Sequence, residues 1–209
     1  MRNAWPPLVG VLGVLCCAVM LGCGPKYMGL PYYITPDFNP VWTYFPKKEF
    51  HQIPAFALTS SLGNPVTEQD LEGKWTVVQF FFSRCMGVCP RITQQLETAH
   101  PKLLAMKDVQ IVSISLDPGY DVPEVLAAFR EGKESASWLF LTGNKQEIDD
   151  LARDGFFVRE TLNKPIANKG FFHTELLFLV DPERRIRGIY NGQSALDIRQ
   201  LVSDLEGEQ

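Results

Sequence analysis

Cys85 and Cys89, in the segment Arg84-Cys85-Met86-Gly87-Val88-Cys89-Pro90, are the residues of this chain whose type and spacing carry chemistry. Two thiols this close can hold a soft metal ion or close into a disulfide. Their surroundings give them a position: Phe80-Phe81-Phe82 reads as the end of a buried strand, and an amphipathic helix begins near Pro90. A helix N-terminus presents unsatisfied N–H groups and a partial positive charge, which favour thiolate over thiol, so both cysteines are expected to be reactive. If the turn is helical, positions i and i+4 share a face about 6 Å apart, a separation a disulfide tolerates. A purely structural bridge is the blander alternative, although closing so short a loop removes little entropy from the unfolded chain. The spacing also differs from the two-residue insert of ordinary thioredoxin-type oxidoreductases.

Two thiolates suit Cu(I), and an imidazole would complete a three-coordinate site. Of the three histidines, His173 is the favoured candidate. It precedes the apolar run Thr174 to Val180, at the end of a loop containing Asn163, Pro165, Asn168 and Gly170, where a side chain can reach the end of a neighbouring strand. A structural role for a lone histidine stays open. His100, beside Pro101, and His51, ahead of the domain, are expected at the surface. Zinc is the rival metal, but a closed structural zinc site takes four protein ligands and only three are apparent.

The elements that must position these residues alternate strand with helix, the pattern of an α/β domain. Residues 75–82 and 109–116 read as buried strands, Trp138 to Leu141 as a weaker third, and Thr174 to Val180 with Ile186 to Tyr190 as a terminal hairpin around Asp181-Pro182-Glu183-Arg184. Ile92, Leu96, Ala99 and Leu103 give the helix after the cysteines one apolar face. A second helix has Asp121 as its expected cap and Val122, Val125, Leu126 and Phe129 on one face; a third shows Asn144 and Glu147 in capping-box spacing. A last helix, Ser194 to Leu205, carries the stripe Ile198, Leu201, Val202 and Leu205.

At 209 residues, the chain has room for one domain with an anchor and a linker. Its 45% hydrophobic and 21% charged composition suits a packed core. A net charge of −4 without a basic block argues against nucleic acid as a partner. Residues 1–22 carry Arg2 and the apolar run Leu8 to Leu21, shorter than the roughly 20 residues of a spanning helix, and read as a lipoprotein signal peptide or an uncleaved anchor. Met20-Leu21-Gly22-Cys23 resembles a bacterial lipobox, which makes Cys23 the candidate for lipidation and places the domain in the bacterial cell envelope, outside the cytoplasm. Of the five cysteines, Cys16 and Cys17 would leave with the signal, so Cys85 and Cys89 would form the remaining pair. Residues 23–50, with Pro25, Pro31, Pro36, Pro40 and Pro46, read as an extended aromatic-rich linker lying against the domain of residues 51–209.

Several separated motifs occur in one order: Gly63-Asn-Pro-Val, Gly73-Lys-Trp75, Cys85-Met-Gly-Val-Cys89-Pro90, Ser115-Leu-Asp117-Pro118 with Asp121, Leu141-Thr-Gly143, and His173-Thr-Glu with Val180-Asp-Pro182. Together they resemble the Sco/SenC copper chaperones of cytochrome c oxidase assembly. The resemblance implies a thioredoxin-like α/β fold with a central mixed sheet flanked by helices. It also implies copper binding as Cu(I), with Cu(II) open, by Cys85, Cys89 and His173, and delivery to the binuclear copper centre of an oxidase subunit. A thioredoxin-like reductant would keep the pair reduced. This chain has Met86 where family members commonly have proline, and Phe172 where an acidic residue is often found; simple loop packing is the expectation for Met86. The alternative function is an extracytoplasmic thiol–disulfide oxidoreductase in which Cys85, the more exposed sulfur, attacks and Cys89 resolves. A thiol peroxidase fits poorly, because the positions where peroxiredoxins carry threonine and proline hold Phe82 and Val78.

Overall fold

The computed structural model describes residues 29–131, 137–158 and 175–209. The segment 1–22, Cys23, His173, Phe172 and the loop from Asn163 to Gly170 lie outside the described residues. Seven strands form one mixed sheet: β3 (Ala57–Ser60), β4 (Pro65–Thr67), β5 (Trp75–Phe81), β6 (Val109–Ser115), β7 (Trp138–Thr142), β8 (Leu176–Val180) and β9 (Ile186–Asn191), in the order β4-β3-β7-β6-β5-β8-β9. The central three strands β7, β6 and β5 are parallel, and β8 pairs antiparallel to β5 with Thr76 opposite Val180 and Gln79 opposite Leu177.

Strand side chains alternate between faces. Trp75, Val77 and Phe81 of β5 therefore join one apolar layer with helices α1 (Cys89–Leu104), α2 (Pro123–Arg130) and α4 (Ala195–Gly207). Val78 and Phe80 face the other layer, with Ile53, Phe56 and helix α3 (Lys145–Asp150), which widens into a π turn over Leu151–Gly155. The apolar stripes read from the sequence are the buried ones: Ile92, Leu96, Ala99 and Leu103 on α1, and Ile198, Leu201, Val202 and Leu205 on α4. Ser194 caps α4 by accepting the Asp197 N–H.

Several expectations are corrected. Pro101 lies inside α1, so His100 is within the helix, half-buried with its ring edge-on to Trp138 at 5.2 Å; burial lowers its pKa. His51 is also half-buried, bonding the Gly155 carbonyl at 2.8 Å through Nε2, with its ring 4.3 Å from that of Phe157. Helix α2 is capped at Val122, which is exposed, and not by the Asp121 side chain. Asn144 does cap α3, but Glu147 turns away from the capping box and accepts the Ala57 N–H at 2.5 Å.

The proline-rich segment is anchored rather than merely adjacent. From Gly29 it forms β1 (Tyr32–Tyr33) and β2 (Pro40–Val41), paired antiparallel. Its aromatic and main-chain groups meet Arg187 of β9, whose guanidinium donates to the Leu30 and Pro31 carbonyls and lies 4.0 Å from the centre of the Tyr32 ring. The Leu30 N–H donates to Glu208 at 3.0 Å, tying this strap to the end of α4.

Candidate dithiol site

The site is built where β5 hands the chain to α1. Strand β5 is buried along its whole length, so its end is a fixed point. A turn follows, closed by the Cys85 N–H donating to the Phe82 carbonyl at 3.1 Å. Cys89 is the first residue of α1, Pro90 follows it in the first turn, and Val88 caps the helix without a side-chain bond. The four-residue offset therefore spans a turn and a helix start, not one continuous helix. Neither sulfur is in a disulfide, and both residues are buried, 7% and 6% exposed. Burial thus gives no ground for naming Cys85 the more exposed attacker. Met86 between them is 99% exposed, so it does not pack on the loop as expected.

The Cys89 thiol is pushed up to about 12, first by burial and then by its hydrogen bond to the Cys85 thiol; backbone hydrogen bonds at Phe82 and at Cys89 itself pull the other way. The helix N-terminus expected to favour thiolate is outweighed here by burial. An apolar cavity of about 190 Å³, lined by Phe82, Cys85, Cys89, Thr93 and Phe129, opens beside the pair.

The group that holds the turn is Asp121, which sequence reasoning assigned to a helix cap. Fully buried, its carboxylate accepts the Ser83 N–H at 3.0 Å and the hydroxyls of Ser83 and Ser115. It so ties the turn ahead of Cys85 to the end of β6. Beside it Arg84 donates to Asp117 at 2.8 Å and lies 4.6 Å from the Tyr120 ring centre. The sequence signal was the order Ser115, Asp117, Asp121, but only tertiary contact shows that these groups face the loop at residues 83 and 84.

Among the described residues no cluster of three or more His, Cys, Asp and Glu could hold a metal ion. The two thiols are the described part of any donor set; His173 lies outside the described residues. Two adjacent thiol donors in an apolar setting fit a soft, thiophilic ion and poorly fit a hard oxygen-seeking one.

Fold and site together define a thioredoxin-like α/β protein with a dithiol at a strand-to-helix turn. The SCO1/SenC family model matches residues 46–208, and the chain belongs to that family. The crystal structure of a SCO1/SenC family lipoprotein from Bacillus anthracis str. Ames superposes with a TM-score of 0.67 at 29% identity, over 75% of this chain and 94% of that one. BsSco, a member of the Sco family of cytochrome c oxidase assembly proteins in which a disulfide switch was identified, gives a TM-score of 0.63 at 29% identity, over 75% and 92%. The copper-bound crystal structure of Arabidopsis thaliana ScoI gives 0.60 at 25% identity, over 74% and 98%. No helix among the described residues is long and apolar enough to cross a membrane.

Proposed function

We propose that this chain carries copper as cargo on Cys85, Cys89 and His173 and hands it to a copper-accepting subunit of a respiratory oxidase. The observation that carries this reading is the pair of reduced, buried thiols hydrogen-bonded to one another across the turn. Family membership and the copper seen in a relative's structure support it. Both thiols must be reduced to bind, and each loses its proton as the metal arrives. A thioredoxin-like reductant supplies the reduced pair; lipidation at Cys23 holds the domain at the cell-envelope membrane. The second reading, thiol–disulfide exchange with client cysteines, is favoured by the same juxtaposition and by the disulfide switch of BsSco.

Anaerobic Cu(I) titration of the reduced chain, with Cys16, Cys17 and Cys23 replaced by serine, against a competing chelator, with and without His173→Ala in parallel, separates the readings. One tight equivalent, weakened at least tenfold in the variant while exchange with a small disulfide is retained, is expected. Readily cycled thiols with no competitive copper binding would leave an oxidoreductase and sink the carrier reading.

A further inference from the structure

The strap carries three exposed aromatics, Trp42, Tyr44 and Phe45, which are 55%, 48% and 85% exposed. Their placement follows from the β1–β2 register. Tyr32 stands opposite Val41, so Trp42 falls opposite Pro31, at the end of the ribbon where the chain runs back from Gly29 toward its N-terminus. Trp42 and Tyr44 alternate with half-buried Thr43, and a local turn, in which the Phe45 N–H donates to Thr43 Oγ1 at 3.1 Å, turns Phe45 outward. Exposed Lys47, Lys48 and Glu49 follow, so the patch is aromatic with a small net charge.

From this geometry we infer that Trp42, Tyr44 and Phe45 insert into the headgroup layer of a lipid bilayer and seat the domain on the membrane. Amphipathic aromatic rings partition to that layer. The apolar run Leu8 to Leu21 and Cys23 lie just upstream in sequence, and the link from Cys23 to Gly29 reaches at most about 20 Å. Whatever holds the chain to lipid there keeps the patch beside the bilayer; this step rests on the anchoring proposed above. The short tether to lipid favours the bilayer over a protein partner as the occupant of these rings.

The consequence is an orientation. The strap packs around Arg187, which lies within 5.9 Å of the Trp75 ring at the start of β5, whereas the cysteines follow the end of that strand. At about 3.3 Å per residue the strand raises the dithiol roughly 20 Å from the seated end, facing away from the bilayer toward an acceptor's exposed domain.

The test uses the full-length chain carrying Trp5→Phe, reconstituted in phosphatidylcholine–phosphatidylglycerol vesicles with acyl-brominated phospholipid as a quencher. Trp75 and Trp138 are buried in the core, so lipid quenching reports Trp42. Quenching that a further Trp42→Phe change reduces by more than half, and that Phe45→Ser weakens with unchanged near-ultraviolet circular dichroism, is expected. Protein that co-sediments with vesicles yet shows no quenching at Trp42 overturns the inference and leaves anchoring intact. Shielding of Trp42 that grows with protein density rather than with lipid would give the patch to a second copy or another protein, also overturning it. Protein that does not sediment with vesicles removes both the anchor and the seat.

Discussion

The two ends of β5 each bury an aspartate, but they satisfy it differently. At the start of the strand, Asp181 is met by cations: Arg185 donates at 2.8 Å and Arg187 at 3.3 Å, and the backbone N–H groups of Glu183 and Arg185 fill its other oxygen. At the far end, Asp121 is met among the described residues by the hydroxyls of Ser83 and Ser115 and by the Ser83 N–H of the turn ahead of Cys85. The cationic end closes the hairpin and the strap into a rigid base. The neutral end positions a loop without bringing a fixed positive charge onto the Asp121 carboxylate, and the adjacent guanidinium of Arg84 is already engaged by Asp117. Rigidity is placed in the base and geometry in the site, so substitutions at the two aspartates should separate stability from function.

Asp181→Ala should have the larger effect on folding. Removing it takes the shared carboxylate from two largely buried guanidinium groups, a loss of about 3–5 kcal/mol, read from urea unfolding of the reduced protein. In whatever fraction folds, thiol reactivity and copper affinity should be unchanged within twofold; a tenfold loss would abolish the distinction between the two ends. Asp121→Ala should cost less, on the order of 3 kcal/mol, by leaving the buried Ser115 hydroxyl and the half-buried donors of Ser83 unpaired. It should also weaken copper binding by tenfold or more, because the turn ahead of Cys85 loses its tie to β6. Asp121→Asn, which keeps an acceptor, should recover most of the stability.

The two ends were unequally legible in the sequence. The central strands, the helices and the terminal hairpin followed from periodicity and turn residues, because burial on a sheet face or helix stripe imposes those patterns directly; the short edge strands β3 and β4, too brief to show a period, did not. The cysteine pair was legible because its chemistry depends on local spacing. Asp121 was misread because an aspartate before a proline-started helix satisfies a local capping rule, whereas its true partners are Ser83 and Ser115, one of them 38 positions away. The strap was read as a linker because Arg187 and Glu208, which hold it, come more than 150 residues later. Likewise the elevated thiol of Cys89 could not be foreseen from a helix-terminus argument, since the burial that raises it is a tertiary fact.

The protonated Cys89 thiol gives the site end a pH dependence, which its elevation extends to higher pH. A Cys89 thiol raised from its ordinary 9.0 to about 12 stays protonated at neutral pH, so binding copper must expel its proton. Apparent Cu(I) affinity should rise with pH, by up to about tenfold per unit for that proton, equivalent to about 1.4 kcal/mol. The sign for folding is opposite. The unfolded thiol ionises first, so the contribution to stability is complete below about 9 and is lost as pH rises toward 12. Competition titrations at pH 6, 7 and 8 check the first effect, and a pH-independent affinity would show that both thiols are already thiolates in the folded chain.

The smallest effect should fall on Arg84, and it sharpens the contrast with Arg185. Both guanidinium groups pair with an aspartate at 2.7–2.8 Å. The Arg84 side chain is about half exposed, so solvent screens its pair and holding it costs side-chain entropy; Arg84→Gln should change stability by less than about 1 kcal/mol. Arg185 is largely buried beside a buried partner, so Arg185→Gln should cost clearly more. Arg84 nevertheless sits next to Cys85, clamped between Asp117 and the Tyr120 ring. Its loss should loosen the turn and alter Cys85 alkylation by iodoacetamide two- to fivefold with the fold intact. An unchanged alkylation rate would leave Asp121 alone as the group that sets the geometry of the turn.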